Sequence, residues 1–174
     1  MGTIFIAGAY GVGKSTLCNS LSKRLGIPAF SASDLIGRVN GENYTKNKSV
    51  HNKYDNQDIL VTEVSKILRD HPSILLAGHF CIFDKENNVD ILPSYVFHRL
   101  QIQSILLLEA DNSQIISNLT ARDNYEYSDT QISSLTSTER AIATEIATSI
   151  GCSLYIHKMN FNDSDVEQCL SLLW

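Results

Sequence analysis

An eight-residue segment near the start of the chain, Gly8-Ala9-Tyr10-Gly11-Val12-Gly13-Lys14-Ser15, has the pattern G-x-x-x-x-G-K-[ST] and directly follows an apolar run at residues 3–7. Glycines suit such a loop because backbone N–H groups must approach phosphate oxygens more closely than a Cβ allows. The spacing of Leu17, Leu21 and Leu25 predicts a helix behind the loop, whose N-terminus adds partial positive charge. A strand, a glycine-rich loop and a helix in this order predict a binding site for a nucleoside triphosphate.

The residues of this phosphate loop have distinct predicted roles toward ATP and Mg²⁺. Lys14 is expected to reach the β- and γ-phosphates, and the Ser15 hydroxyl is expected to bind Mg²⁺. The residues predicted to bind the nucleotide are Gly8, Ala9, Tyr10, Gly11, Val12, Gly13, Lys14, Ser15 and Thr16.

Bulk properties narrow the class of protein. A length of 174 residues predicts one domain, residues 1–174, and a net charge of −5 argues against nucleic-acid binding as the main function. The four cysteines form no C-x-x-C pair, so neither a zinc site nor a redox motif is indicated. We expect a cytoplasmic protein without a membrane segment, because the first strand starts within three residues and the apolar runs are short.

Short apolar runs alternate with longer amphipathic stretches along the whole chain. The runs predicted as strands are 3–7, 28–31, 73–77, 104–108 and 153–157. The stretches predicted as helices are 14–25, 33–40, 56–70, 112–122, 130–150 and 163–173. This alternation predicts an α/β fold with a doubly wound, five-stranded parallel sheet between two layers of helices, as in P-loop NTPases.

Two polar segments interrupt the alternation, at 41–55 and at 84–93. Neither has a clear period, so both are predicted to be loops. Both follow strands of the predicted sheet, which places them at the carboxyl ends of the strands, where open α/β sheets bind ligands.

A phosphate loop by itself does not distinguish a kinase from a GTPase switch. The chain does contain Asp34-Leu35-Ile36-Gly37 and Asn52-Lys53-Tyr54-Asp55, which mimic the D-x-x-G and N-K-x-D motifs of GTPases. In a GTPase these motifs follow different strands, and a crossover between parallel strands needs a dozen or more residues. The polar residues between Gly37 and Asn52 leave no room for a helix and another strand, so the GTPase interpretation is disfavoured.

A kinase needs positive charge that reaches the transferring phosphate, usually from arginines in mobile segments. The candidates are Arg38, Arg99, Arg122 and Arg140. Arg122 is favoured because it lies at the end of a predicted helix, before the polar segment 123–128. A short lid over the nucleotide is predicted at 122–130.

The pattern resembles the adenylate-kinase-like family of small P-loop kinases, with features of the archaeal-type adenylate kinases in Ile105–Ala110 and Arg122-Asp123. The resemblance implies an acceptor-side segment at about 34–57 that opens with Ser31–Ile36. Arg38 is one position from the usual arginine, where Gly37 stands. Asp34 either orients and deprotonates an acceptor hydroxyl or serves as an N-terminal helix carboxylate.

The chain departs from this family after the third predicted strand. Ala77 stands where the family has an aspartate that helps to hold Mg²⁺, and Asp34 or Asp84 are possible replacements. His79, at the same strand end, is either a structural residue or a contact to the γ-phosphate or the acceptor. The predicted catalytic residues are therefore Lys14, Arg122, Asp34, Arg38 and His79.

These features predict an ATP-dependent phosphotransferase whose acceptor is a nucleoside monophosphate or a nucleoside. Two alternatives stay open. One keeps the fold but transfers phosphate to a hydroxyl of a small metabolite, with Asp34 as the base. The other is a nucleotide-binding regulatory or assembly subunit with weak ATPase activity, which the alanine at position 77 would suit.

Overall fold

The strand that leads into the phosphate loop lies at the centre of a parallel five-stranded sheet. The computed structural model describes residues 2–41 and 53–174. The strands of this sheet are β1 (Gly2–Gly8), β2 (Ala29–Ser31), β3 (Ser73–Ala77), β6 (Ile102–Glu109) and β7 (Ser153–Lys158), and their order is β2-β3-β1-β6-β7. Every residue of β1 is buried, because strands flank it on both sides and helices cover both faces.

Helices connect the strands and cover the two faces of the sheet. They are α1 (Lys14–Leu25), α2 (Ala32–Asn40), α3 (Lys53–Asp70), α4 (Ser94–Arg99), α5 (Asn112–Asp123), α6 (Asp129–Ile150) and α7 (Ser164–Leu173). A capping box begins α6: the Ser128 hydroxyl accepts from the Gln131 N–H, and the Gln131 side chain accepts from the Ser128 N–H. None of the helices within the described residues is long and apolar enough to cross a membrane.

The alternating side chains of β1 divide the core into two hydrophobic clusters. Phe5 and Ala7 pack in one cluster with residues of α2, α3 and α4, whereas Ile4 and Ile6 pack in the other with residues of α1, α5 and α7. Helix α6 contributes to both clusters. The predicted doubly wound α/β sandwich is therefore confirmed.

The register of the sheet brings several strand ends together. Ala77, the last residue of β3, pairs with Ile6 of β1 on one side and with Ser31 of β2 on the other. The phosphate loop, the start of α2 and the segment after β3 therefore share one edge of the sheet, which is where open parallel sheets bind ligands.

The segment after β3 differs from its prediction. It forms an antiparallel hairpin of β4 (Cys81–Phe83) and β5 (Val89–Ile91), followed by α4, where the sequence indicated a loop at 84–93. The Asp84 carboxylate accepts from the N–H groups of Glu86 and Asn88 and so closes the turn. Three-residue strands are too short to show a period, which explains the error. Of the other predicted loop, residues 42–52 lie outside the described residues, and with them Asn52 of the GTPase-like motif.

Candidate active site

The phosphate loop leaves β1 through a glycine whose surroundings disfavour any side chain. Gly8 has a φ of 150°, and a Cβ there would lie 2.6 Å from the Leu108 carbonyl oxygen and 2.9 Å from Val12 Cγ2. From α5, the Asn118 side-chain amide donates to the Gly11 carbonyl at 2.8 Å. The loop thus packs closely against β6 at Gly8 and is hydrogen-bonded to α5 at Gly11.

Lys14 folds back over the start of its own loop. Its Nζ donates to the carbonyl oxygens of Gly8 and Ala9, both at 2.7 Å. Because the ammonium group is largely removed from water, its pKa falls to about 7; the nearby Arg122 lowers it further, while the Glu139 carboxylate opposes the shift. The phosphates of a nucleotide would replace these two carbonyl oxygens as acceptors.

A cavity of about 120 Å³ lies beside the loop, between α1, β2 and α2. Its lining includes Ser15 from the loop, Asp34 and Arg38 from α2, and Ala77 from β3. Asp34 stands in the first turn of α2 because β2 ends at Ser31 and the helix follows at once. The fold therefore brings three of the predicted site residues, Ser15, Asp34 and Arg38, around one small space.

Few protein groups around this cavity are suited to bind Mg²⁺. Ala77 supplies no carboxylate, and the described residues contain no cluster of three or more acids, histidines or cysteines that suits a metal. Asp84, one of the two suggested replacements, is engaged in its hairpin turn, whereas Asp34 lines the cavity with Ser15. Mg²⁺ at phosphate sites usually needs only one or two protein ligands beside phosphate oxygens and water, so these residues suit it.

Arg122 is the next-to-last residue of α5 and lies at the start of the predicted lid. Its guanidinium group pairs with both carboxylate oxygens of Asp123, at 2.6 and 2.8 Å, and this pairing raises the pKa of Arg122. The Tyr127 hydroxyl donates to the same carboxylate at 3.1 Å. The charge of Arg122 is close enough to Lys14 to lower the pKa of the lysine.

His79 packs on the phosphate loop. Its ring centroid lies 4.5 Å from that of Tyr10, and Tyr10 in turn stacks on Phe83 at 6.0 Å. Phe83 stacks on Tyr127, between α5 and α6, at 5.8 Å. His79 is thus part of an aromatic row that joins the loop, the β4–β5 hairpin and the segment between α5 and α6, and it is not among the described residues that line the cavity.

Glu139 is the main residue of the site that sequence reasoning missed. Its buried carboxylate accepts from the backbone N–H groups of Gly8, Phe80 and Cys81 at 3.0–3.1 Å, and from the Cys81 thiol at 3.2 Å. Burial raises the pKa of Glu139, whereas these hydrogen bonds and the charge of Lys14 act to lower it. An available signal was its helical spacing from buried Leu135 and Ala143, which places an acid on the apolar face of α6.

Two of the candidate arginines lie in ion pairs on other parts of the structure. Arg99 pairs with Asp58 at 3.7 Å, and Arg140 pairs with Glu109 at 3.2 Å. Both guanidinium groups are more than half exposed, so these pairs contribute little to stability. Of the four candidates, the structure places Arg38 at the cavity and Arg122 near the loop.

Comparisons with known proteins agree with this fold. A family model described as an AAA domain matches residues 7–136. No curated protein matches the chain. Among solved structures, shikimate kinase from Acinetobacter baumannii in complex with shikimate has 16% identity and a TM-score of 0.67, over 99% of this chain and 91% of that one.

Two further structures have the same fold. A sugar kinase from Janibacter sp. HTCC2649 has 12% identity and a TM-score of 0.62, over 99% of this chain and 94% of that one. A gluconokinase from Sinorhizobium meliloti 1021 has 11% identity and a TM-score of 0.56, over 98% and 90%. At such identities the likeness shows the fold, which is that of the small P-loop kinases.

Proposed function

The chain belongs to the AAA domain family, and from this membership and its small P-loop kinase fold we propose that it transfers the γ-phosphate of ATP to a hydroxyl group of a small metabolite. The observation that carries the proposal is the cavity in which Asp34 and Arg38 face the Ser15 end of the phosphate loop. It sets a carboxylate and a guanidinium group beside the expected position of the transferring phosphate.

The solved structures with this fold favour a small acceptor, and the cavity has room for one. The described residues enclose about 120 Å³ of it. The sequence analysis favours a nucleoside monophosphate or a nucleoside, whereas the structural neighbours are a shikimate kinase, a gluconokinase and a sugar kinase. Cavity and neighbours together support the alternative acceptor, a hydroxyl group of a small metabolite.

The proposed reaction uses Asp34 as the general base. Its carboxylate accepts the proton of the acceptor hydroxyl while the hydroxyl oxygen forms a bond to the γ-phosphorus. The bond from that phosphorus to the bridging oxygen of the β-phosphate breaks, and ADP carries away the electron pair. Lys14, the loop N–H groups and Arg122 balance the negative charge that accumulates on the phosphate oxygens. Arg38 binds the acceptor.

Mg²⁺ would be held by the Ser15 hydroxyl together with phosphate oxygens and water, with Asp34 nearby. When bound, the ion neutralises phosphate charge. With Ala77 in the cavity wall, the protein contributes less negative charge to this ion than a chain with an aspartate there.

The test is an acceptor panel. The purified chain is incubated with ATP, Mg²⁺ and separate sets of hydroxy acids, sugars, nucleosides and nucleoside monophosphates, and the products are separated by chromatography. A phosphorylated hydroxy acid or sugar supports the proposal. A nucleoside diphosphate formed from a monophosphate would show that the acceptor is a nucleotide. Phosphate release without any acceptor product would favour the alternative of a regulatory subunit with weak ATPase activity.

A further inference from the structure

We propose that Asn118 is a positioning residue for Arg122: its hydrogen bond to the phosphate loop holds the end of α5 where the guanidinium group can reach the γ-phosphate of ATP. This inference rests on the proposed function, in which Arg122 balances the charge on the transferring phosphate. Both residues belong to α5, and neither lies in the sequence motif of the loop.

Asn118 contacts the phosphate loop through a hydrogen bond whose direction is fixed from the other side. Its amide nitrogen donates to the Gly11 carbonyl at 2.8 Å, and its amide oxygen accepts from the Gln114 amide at 2.9 Å. Because Gln114 occupies the amide oxygen, the amide nitrogen is the group that faces the loop. Asn118 is half-buried, which reduces the competition of water for this bond.

Gly11 lies where α5 packs directly on the loop. It has a φ of 77°, and a Cβ there would lie 3.0 Å from Leu119 Cγ and 3.2 Å from the Ile115 carbonyl oxygen. The loop therefore has no side chain of its own at the point where it meets the helix. The polar link between the two is supplied by Asn118, through the Gly11 carbonyl.

Arg122 stands about one helical turn beyond Asn118. Residues four positions apart lie on the same face of an α-helix, so the face of α5 that contacts the loop also carries the arginine. The charge of Arg122 lowers the pKa of Lys14, which is evidence that the two are near each other. A displacement of this end of α5 from Gly11 would therefore move the guanidinium group relative to the phosphates.

Other contacts hold the body of α5 in place without Asn118. Ile115 and Leu119 are fully buried in the core, and Asn112 at the start of the helix donates to the Ser133 hydroxyl of α6 at 2.7 Å. Apolar packing is not directional, whereas a hydrogen bond depends on distance and angle. The loss of Asn118 should therefore leave the helix folded and loosen only the end where the arginine stands.

The test is equilibrium binding of ATP and of ADP, each with Mg²⁺, to the full chain. The two probes differ by the γ-phosphate, so the ratio of their dissociation constants measures the contact that Arg122 makes. Asn118→Ala should weaken ATP by about fivefold, as expected for one hydrogen bond, and ADP by less than twofold. Arg122→Ala should weaken ATP by about tenfold or more. Ser117→Ala, an exposed change on the same helix, is the matched control and should alter neither probe.

A double variant separates positioning from an independent contribution. If Asn118 acts through Arg122, the double variant Asn118→Ala with Arg122→Ala should bind ATP within about twofold of Arg122→Ala alone. Losses that add up in the double variant would contradict the inference. Asn118→Asp keeps the size of the side chain but replaces the donor by an oxygen, so it should show at least the same selective loss of ATP affinity, and thermal unfolding verifies that each variant is folded.

The inference and the proposed function fail in different ways. If Arg122→Ala weakens ATP selectively while both Asn118 variants match the Ser117 control, the inference is wrong and the proposed function stands. If the Asn118 variants weaken ATP and ADP by the same factor, Asn118 shapes the phosphate loop and does not position Arg122. If the wild type binds neither nucleotide, the proposed function is wrong, and the inference with it.

Discussion

The carboxylate of Glu139 accepts a hydrogen bond from the backbone N–H of Gly8 at 3.1 Å, across 131 positions of the sequence. The same carboxylate accepts from Phe80 and Cys81 after β3. One side chain of α6 thus holds the start of the phosphate loop and the segment after the neighbouring strand in a fixed relation. Helix α6 begins at Asp129, within the predicted lid, so the residues between α5 and α6 lead directly into the helix that carries Glu139.

Replacing Glu139 should therefore destabilise the protein. Glu139→Ala leaves three buried N–H groups without an acceptor, each at a cost of roughly 1–3 kcal/mol. Glu139→Gln keeps the shape but turns an amide donor toward at least one of these N–H groups, so a smaller loss is expected. Urea unfolding measures both. Glu145→Gln, an exposed change on the same helix, is the control and should have no effect; equal stability of all variants would contradict the anchoring role.

Lys14→Ala should abolish nucleotide binding and phosphoryl transfer while the fold remains. The ammonium group is the positive charge that the loop sets against the phosphates, and its removal should lower kcat/KM by at least about 100-fold. Because the charged group is held out of water at a cost, its loss should not lower the unfolding free energy by much. Transfer assays and thermal unfolding test the two expectations. If the variant still transfers phosphate, the phosphate loop is not the catalytic site.

The affinity for nucleotide should fall as the pH rises above about 7. In the free protein the pKa of Lys14 is about 7, and bound phosphates must raise it. Below pH 7 the lysine already carries its proton, so binding is strongest there; above pH 7 binding must take up a proton and weakens by up to about tenfold per pH unit. Calorimetry in buffers of different ionisation enthalpy measures this uptake. Lys14→Arg, which stays charged, should flatten the profile, and an unchanged slope would exclude Lys14 as its source.

Asp34→Asn should lower turnover without affecting nucleotide binding. A general base typically contributes about 10²–10⁴-fold to the rate, and the asparagine keeps the size of the side chain in the cavity. We expect kcat to fall within that range and the dissociation constant of ATP to stay within about twofold of the wild type. An unchanged kcat would mean that Asp34 acts only as a carboxylate in the first turn of α2.

Ala77→Asp should make the enzyme active at lower Mg²⁺ concentrations. The new carboxylate would enter the cavity that Ala77 shares with Ser15 and add an oxygen ligand where the ion is expected. The Mg²⁺ concentration at half-maximal activity should fall by roughly threefold or more, as a titration at fixed ATP would show. Ala77→Asn adds a similar volume without charge and serves as the control; equal effects of the two changes would point to packing alone.

The parts of this protein that could be predicted from the sequence are those determined by local patterns. The glycines, Lys14 and Ser15 identify the phosphate loop because its chemistry requires those residues in consecutive positions. Runs such as Ile105–Leu108 identify buried parallel strands because both faces of such strands are covered. The β4–β5 hairpin was missed because its three-residue strands carry too short a pattern.

Tertiary structure alone decided which distant groups meet. Glu139 is an ordinary helical acid in the sequence and becomes the acceptor for Gly8 and Phe80 only because α6 packs against β1 and β4. Asp34, Arg38 and Ser15 share a cavity because parallel strand ends meet at one edge of the sheet. The sequence alone identifies the phosphate-binding loop, because all the residues that its chemistry needs lie in one short motif. The residues that contact this loop depend on long-range packing, which cannot be inferred from any local sequence pattern.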